Sequence, residues 1–491
     1  MLLSYDNLPD YLKPCLLYLP DYLKPCLLYM GMFSEDMIIR MPKLISLWIA
    51  EGFVQNSESG RLMEETAECY LMDLIHSNVV MVSKRGYTSK VKYCYVHDVV
   101  LHFCLEKSRE EKFILVVKAN CYQFRPYDWN GSRVSCSFNN EHSKFASLRS
   151  KTRTKTFYQH LRSLITMNGV GYDGNPFHDV YQLRLVKVLD LSSHCVALLW
   201  SAQLQPLIHL KSTLLPTTFW KMEKLRHVEI TTAEFDLENK KQGIFEECSK
   251  LENLRTFGKV VFPIDQVDCL DVLSRRCPNL QELHISVHSD NDSAEIVKLE
   301  SFKQLHIPRL YIKSSQAVSK LQFPSNLKKL LLYNIYIEST ILLIAGLPNL
   351  ENLRLAAGDL IQSKEWCLRD ITLHKLKILK LVSLSISRWA ASEESFPQLE
   401  TLVIKWCDEL EEIPISFAYI PTLRLVKLIQ CKNKFLEASA ERIKEKVEAI
   451  ERCDRLNLII MEVSRNKLLC AVFEYLHASN LITICSIQDS W

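Results

Sequence analysis

Leu350-x-x-Leu353-x-Leu355, Leu376-x-x-Leu379-x-Leu381, Leu399-x-x-Leu402-x-Ile404 and Leu423-x-x-Val426-x-Leu428 lie in the stretch from Leu347 to Cys431, and they decide the fold. Their last anchors stand at 355, 381, 404 and 428, so the steps are 26, 23 and 24 residues. In a short strand alternate side chains point to opposite faces. Leu353 and Leu355 therefore face a shared core, and Arg354 is left on an open ladder. One such unit cannot bury its apolar side alone; equivalent neighbours must stack on it. The pattern describes a scaffold that offers a surface, not a catalytic pocket.

A step of roughly 20–29 residues around an L-x-x-L-x-L core is the pattern of leucine-rich repeats. Working backward, it continues through Leu327-x-x-Leu330-x-Leu332, Leu280-x-x-Leu283-x-Ile285, Leu251-x-x-Leu254-x-x-Phe257 and Leu225-x-x-Val228-x-Ile230. It is damaged around Val196 to Leu215, clear again at Leu183-x-x-Val186-x-x-Leu189-x-Leu191, and begins near Leu161 to Leu164. Ile285 and Leu332 are 47 residues apart, room for one degenerate repeat at Leu310-Tyr311-Ile312. The open face of the predicted strands carries His284, Tyr333, Arg354, Lys380, Lys405 and Lys427, the candidate protein-binding residues. Four of those six are Arg or Lys, which points to an acidic partner surface. Beyond Cys431, a charged helix through Ala438, Glu441, Ile443, Val447 and Ile450 is predicted to cap the open end. The tail from Leu456 to Trp491 is apolar and lacks the leucine pattern of the repeats, and no element is assigned to it.

The N-terminal part reads differently. Leu8 to Tyr18 recurs letter for letter as Leu19 to Tyr29. Two identical copies cannot both fill one core position, so the first is expected to be displaced. Pro42 suits the first turn of a helix, Leu44, Leu47 and Trp48 share one of its faces, and Gly52 supplies its stop. Arg61 to His76 is predicted as a second helix, with Met63, Ala67, Leu71, Leu74 and Ile75 inward. Val79 to Ser83 and Val91 to Val96 form a hairpin turning near Gly86, and a further helix starts at Val99. Helices followed by a β-hairpin make a winged-helix-like module, after which Asn120 to Lys155, rich in Ser, Asn, Arg and Lys, reads as a junction.

Composition narrows the classes. At 491 residues the chain accommodates several domains, and a net charge of +3 exerts no general pull toward nucleic acid or anionic membrane. No apolar run approaches the ~18 residues of a membrane span, and no secretory signal pattern opens the chain. The 17 cysteines include no C-x-x-C pair, so they read as reduced, buried thiols of a cytoplasmic protein. His97 and His102 fall on different helix faces, and no nucleophile stands beside a base; an enzyme is not expected.

Leu19 to Asp36 together with Leu44 to Phe53 resembles the motif that opens the winged-helix part of plant nucleotide-binding leucine-rich-repeat immune receptors, closest to the coiled-coil type called late blight resistance proteins. Tyr95-Val96-His97-Asp98-Val99 looks like their Met-His-Asp motif with Val in the Met place, and Trp406 to Pro414 resembles a late repeat. The resemblance implies a winged-helix domain over 1–118, a linker over 119–155, leucine-rich repeats over 156–435, and a helical cap and tail over 436–491. It implies a defence role exercised through protein contacts, with a pathogen effector, a host protein or a nucleotide-binding domain as partner, in the cytoplasm or peripherally at a membrane.

It further implies that His97 senses the phosphates of ADP, with Asp98 orienting it or capping the helix. The family's G-x-x-x-x-G-K-[ST] loop, magnesium-binding strand and N-terminal coiled coil are not found in this sequence. No cofactor is therefore expected here, ADP or ATP belonging to a full-length parent. The competing expectation is an F-box-type ubiquitin-ligase adaptor, from Leu8 to Leu12 preceding the repeats.

Overall fold

The computed structural model describes residues 19–55, 62–85, 90–118, 131–137, 160–167, 185–191, 213–215, 217–230, 233–235, 250–263, 268–288, 297–312, 321–333, 337–356, 364–368, 371–452 and 454–461. The chain divides into one unit of residues 1–261 with 272–280 and another of 262–271 with 281–491.

The first unit opens with α1 (Lys24–Tyr29) and a 3-10 turn, Met30–Met32. Leu19, Leu23, Cys26, Leu27, Leu28 and Tyr29 are all buried, so the second copy of the duplicated segment occupies the core. The first copy, Leu8 to Tyr18, lies outside the described residues. Helix α2 (Met41–Glu51) has proline in its first turn, where an amide is not needed. It stops at Gly52, whose φ of 83° lets its N–H reach the carbonyls of Trp48 and Ile49, both at 3.1 Å. Helix α3 (Met63–His76) buries Ala67, Leu71 and Leu74.

The short strand β1 (Ile39–Arg40) and the hairpin strands β2 (Val80–Arg85) and β3 (Val91–Val96) form a three-stranded antiparallel sheet. The hairpin turn lies outside the described residues. Helix α4 (Asp98–Glu110) then lays Val100, Leu101 and Cys104 into the core that holds Trp48 and Tyr29. Four helices and a three-stranded wing complete the winged-helix module.

Parallel strands follow in the same unit: β4 (Leu115–Lys118), β5 (Arg133–Ser137), β6 (Ser163–Met167), β7 (Val188–Leu191), β8 (His227–Ile230) and β9 (Thr256–Pro263), each hydrogen-bonded to the next. The expected linker thus contains β5, in register between β4 and β6. Arg133-Val134-Ser135-Cys136-Ser137 has no leucine, which is why the ladder was invisible there.

In the second unit the parallel ladder comprises β10 (Glu282–His288), β11 (Ile307–Ile312), β12 (Lys329–Tyr333), β13 (Asn352–Ala356), β14 (Ile378–Val382), β15 (Thr401–Lys405), β16 (Leu425–Ile429) and β17 (Asn457–Met461). The anchor leucines stack inward: Leu330, Leu332, Leu353, Leu379 and Leu381 are all 0% exposed. Strand β11 is the degenerate repeat. Its second anchor is Pro308, paired with Leu283, and the edge of the pattern was hidden by that proline.

Two local devices link successive repeats, one made by side chains and one by the backbone. Asn326 and Asn349, each just before an anchor leucine, donate to the carbonyls of Lys303 and Ser325 one repeat earlier, at 2.9 and 3.0 Å. After β14, β15 and β16 the backbone turns through left-handed residues, Ser383, Trp406 and Gln430, with φ of 51°, 55° and 49°. Their N–H groups extend the ladder to Lys405, Ile429 and Met461. On the far side of the strands Trp366 stacks on Trp389 with ring centroids 5.0 Å apart.

The charged helix, α5 (Lys434–Glu451), is not the end of the array. It buries Leu436, Ala440, Ile443 and Val447 and leads into β17, which pairs with β16 over five residues. The helix expected as a cap is the connection of one further repeat.

Candidate interaction surface

The strand registers of the second unit place the six candidate residues on one face. His284, Arg309, Leu331, Arg354, Lys380, Val403, Lys427 and Ile459 form one cross-strand row. Tyr333, Ala356, Val382, Lys405, Ile429 and Met461 form a parallel row two residues further on. Four candidates, His284, Arg354, Lys380 and Lys427, share the first row; Tyr333 and Lys405 share the second. Lys329 begins the neighbouring row, followed by Asn352, Ile378, Thr401, Leu425 and Asn457.

The sequence reading missed Arg309 and Lys329. Arg309 precedes Leu310, so recognising Pro308 as an anchor would have found it. Lys329 stands next to the anchor Leu330, and its outward direction follows from the same alternation.

Within these rows the acid is Glu282, directly beside the Ile307 position. It accepts from Arg309 Nη2 at 2.7 Å and lies 3.0 Å from His284 Nε2. Arg354 and Lys380 are directly opposite one another, and like charges at that separation disfavour each other. Aromatic rings steady two of the cations: Arg354 lies 5.4 Å from the Tyr333 ring centre and Lys405 Nζ 3.9 Å from that of Trp406. The Trp406 indole N–H donates to Gln430 Oε1 at 2.6 Å, which holds that ring in place.

A second polar constellation joins the winged helix to the first parallel strands, all within the first unit. Glu51, at the end of α2, accepts a hydrogen bond from Arg133 Nε of β5, forms an ion pair with its Nη2, and accepts another hydrogen bond from the Ser163 hydroxyl of β6. Tyr29 lies 3.3 Å from the same hydroxyl, and Ser135 donates to the Met32 carbonyl at 2.5 Å. The Arg133 guanidinium sits 4.2 Å from the Phe113 ring centre and 5.0 Å from that of Phe53. Burial, reinforced by the Glu51 carboxylate, pushes the Tyr29 phenol well up.

Two turns earlier on α2, Lys43 bridges Asp190 of β7 at 2.6 Å and Glu229 of β8 at 3.1 Å. Burial alone would push the Lys43 ammonium down; the two carboxylates outweigh it and hold the group above its usual range. His227 Nε2 stands 3.8 Å from the same Glu229.

His97 is the N-cap of α4, its Nδ1 accepting the Val99 N–H at 3.3 Å, and Asp98 is an exposed residue of the first helical turn. With Nδ1 accepting, the neutral ring carries its proton on Nε2. A cleft of about 490 Å³ on the winged helix is lined by Asp21, Tyr22, Pro25, Gly52, Phe53 and Gln55, a set that does not include His97. Among the described residues no group of His, Cys, Asp and Glu could hold a metal ion, and no helix is long and apolar enough to cross a membrane.

Residues 32–104 match the family model described as the disease resistance protein winged helix domain. The class defined is therefore a disease-resistance winged helix followed by leucine-rich repeats. The chain is 32% identical over 485 residues to a putative late blight resistance protein homolog, R1B-16, of Solanum demissum, which covers 90% of this chain and 35% of the relative. It is 30% identical over 508 residues to the late blight resistance protein R1-A of the same plant, covering 94% of this chain and 38% of the relative. This protein is a homologue of the late blight resistance proteins, and it spans little more than a third of the length of these two.

The crystal structure of a TLR13–ssRNA13 complex aligns with a TM-score of 0.26 and 12% identity, covering 65% of this chain and 52% of that one. The repeat fold stands on the strand registers above.

Proposed function

We propose that this chain serves plant disease resistance as the part of a receptor that contacts another protein, and that the repeat face of the second unit receives an acidic surface. The carrying observation is the row Arg309, Arg354, Lys380 and Lys427, flanked by Lys329 and Lys405, with the acid Glu282 in the neighbouring row, paired to Arg309. The summed positive charge of this face would steer a carboxylate-rich partner toward it, so electrostatics supplies both steering and specificity. A pathogen protein, a host protein or the receptor's own nucleotide-binding domain are the partners that fit the family. The F-box-type adaptor reading finds no support in the relatives reported above.

The test is calorimetric titration of poly-glutamate into the wild-type chain and into an Arg354→Glu/Lys380→Glu/Lys427→Glu variant. The expected result is binding that weakens with salt and falls by roughly tenfold or more in the variant. Equal affinity in both proteins would overturn the reading.

A nucleotide-sensing role for His97 belongs to the same proposal, in a full-length parent. The cap to Val99 leaves Nε2–H as the ring donor, the form that suits a phosphate oxygen. Without a glycine-rich cradle and its lysine, one imidazole does not retain a nucleotide. The present chain should therefore show no heat of ADP binding, and micromolar affinity would refute that.

A further inference from the structure

Strand β17 ends the described ladder, and its core positions are incompletely covered. Leu458 and Ile460 pair with Val426 and Leu428. The latter two are each 1% exposed, whereas Ile460 is 38% exposed and Met461 40%. Asn457 donates its N–H to Arg424, and Met461 accepts from Gln430 through its carbonyl, so both residues turn their backbone groups toward β16. By alternation along a parallel strand, the N–H and C=O groups of Leu458 and Ile460 turn the other way. The result is an uncharged edge, Asn457-Leu-Ile-Ile-Met461, which natural sheets cover.

We infer that this edge is the docking site of the chain's own residues 481–484, which would add one more strand. Ile482 and Ile484 follow Leu458 and Ile460 by 24 residues, within the range of the steps of 26, 23 and 24 from Leu355 to Leu428 and shorter than the 32 from Leu428 to Ile460. The intervening Leu468, Leu469, Val472, Phe473 and Leu476 recur at three- and four-residue spacing. That is the same order of helical period and then alternation which α5 and β17 follow. Leu481-Ile-Thr-Ile484 carries no charge and no proline, so nothing in it opposes strand pairing. Tethering to β17 through about 20 residues gives this segment a local concentration that a separate molecule does not reach.

Amide hydrogen exchange on the full chain tests the inference. Leu458 and Ile460 should be protected, and Ile482→Asp/Ile484→Asp should speed their exchange by roughly tenfold or more. A chain ending at Val463 should show the same loss. Val426 and Leu428 stay protected in all three proteins and report that the repeats remain folded. Unprotected Leu458 and Ile460 amides in the full chain, or protection that survives the double substitution, would sink the inference. Protection that rises with protein concentration would assign the edge to a second copy instead, which equally overturns it.

Discussion

Glu51 and Arg133, 82 residues apart, meet through one carboxylate oxygen that accepts a hydrogen bond from Nε and lies in ion-pair contact with Nη2 of the guanidinium, both at 2.9 Å. The Glu51 side chain is 0% exposed and that of Arg133 10%. Removing one partner leaves the other charge buried and uncompensated. Arg133→Met is expected to cost about 3–5 kcal/mol, whereas Glu51→Leu/Arg133→Met together should cost far less. Urea unfolding of the three proteins decides it, and an Arg133→Met change within 1 kcal/mol of wild type contradicts the assigned role of the pair.

Lys43 and Tyr29 give the first unit an alkaline limit. Both groups titrate above their ordinary values, 10.5 and 10.0. A group whose folded pKa is raised contributes stability that is complete below the unfolded value and fades as pH climbs toward the folded one. Unfolding midpoints should hold steady from pH 7 to about 9 and fall above about 10. Lys43→Met should be less stable at pH 7, with a shallower alkaline decline because its share is already lost. An identical decline in wild type and Lys43→Met would show that the lysine is not the group responsible.

The leucine pattern made most of the second unit legible because each repeat needs two aliphatic anchors at fixed offsets. It failed where chemistry substituted for leucine. Pro308 serves as an anchor, β5 uses valine and cysteine, and β17 follows β16 after a full helix instead of a short connection. The six face residues were readable as outward positions, but the row they share with Arg309 depends on register between strands, which no local pattern carries. Glu51, Arg133 and Ser163 were not readable at all: their value lies in a meeting of residues 82 and 112 positions apart. Ser383, Trp406 and Gln430 hold left-handed turns without the glycine or asparagine that would have announced them.

Cysteine reactivity should separate by burial. Cys26, Cys94, Cys104, Cys277 and Cys407 have thiols pushed up to about 12 by burial, while Cys69 and Cys367 are exposed. The thiolate is the reactive species, so the buried group stays inert at pH 8. Iodoacetamide treatment of the native protein followed by peptide mass analysis should label Cys69 and Cys367 and leave those five unmodified until denaturant is added. Comparable labelling of Cys104 in the native protein would show that the winged-helix core opens freely.

The duplicated segment yields a contrast between two identical sequences. Leu27 of the second copy is 2% exposed, between Leu23 at 1% and Tyr29 at 0%. Tyr29 and Met30 are continuous in the buried turn that ends α1, so Met30 must follow directly from whichever copy fills the site. The first copy cannot satisfy that join without driving the intervening residues through a buried junction. Leu27→Asp should therefore destabilise the first unit by several kcal/mol, the penalty of an unpaired carboxylate in an apolar core, about 3 kcal/mol or more. Leu16→Asp, the same change at the matching place in the first copy, should stay within about 0.5 kcal/mol of wild type, because Leu27 already fills the core position. Thermal unfolding of both variants beside a chain lacking residues 8–18 measures this, and equal losses from Leu16→Asp and Leu27→Asp would mean that both copies contribute to the core.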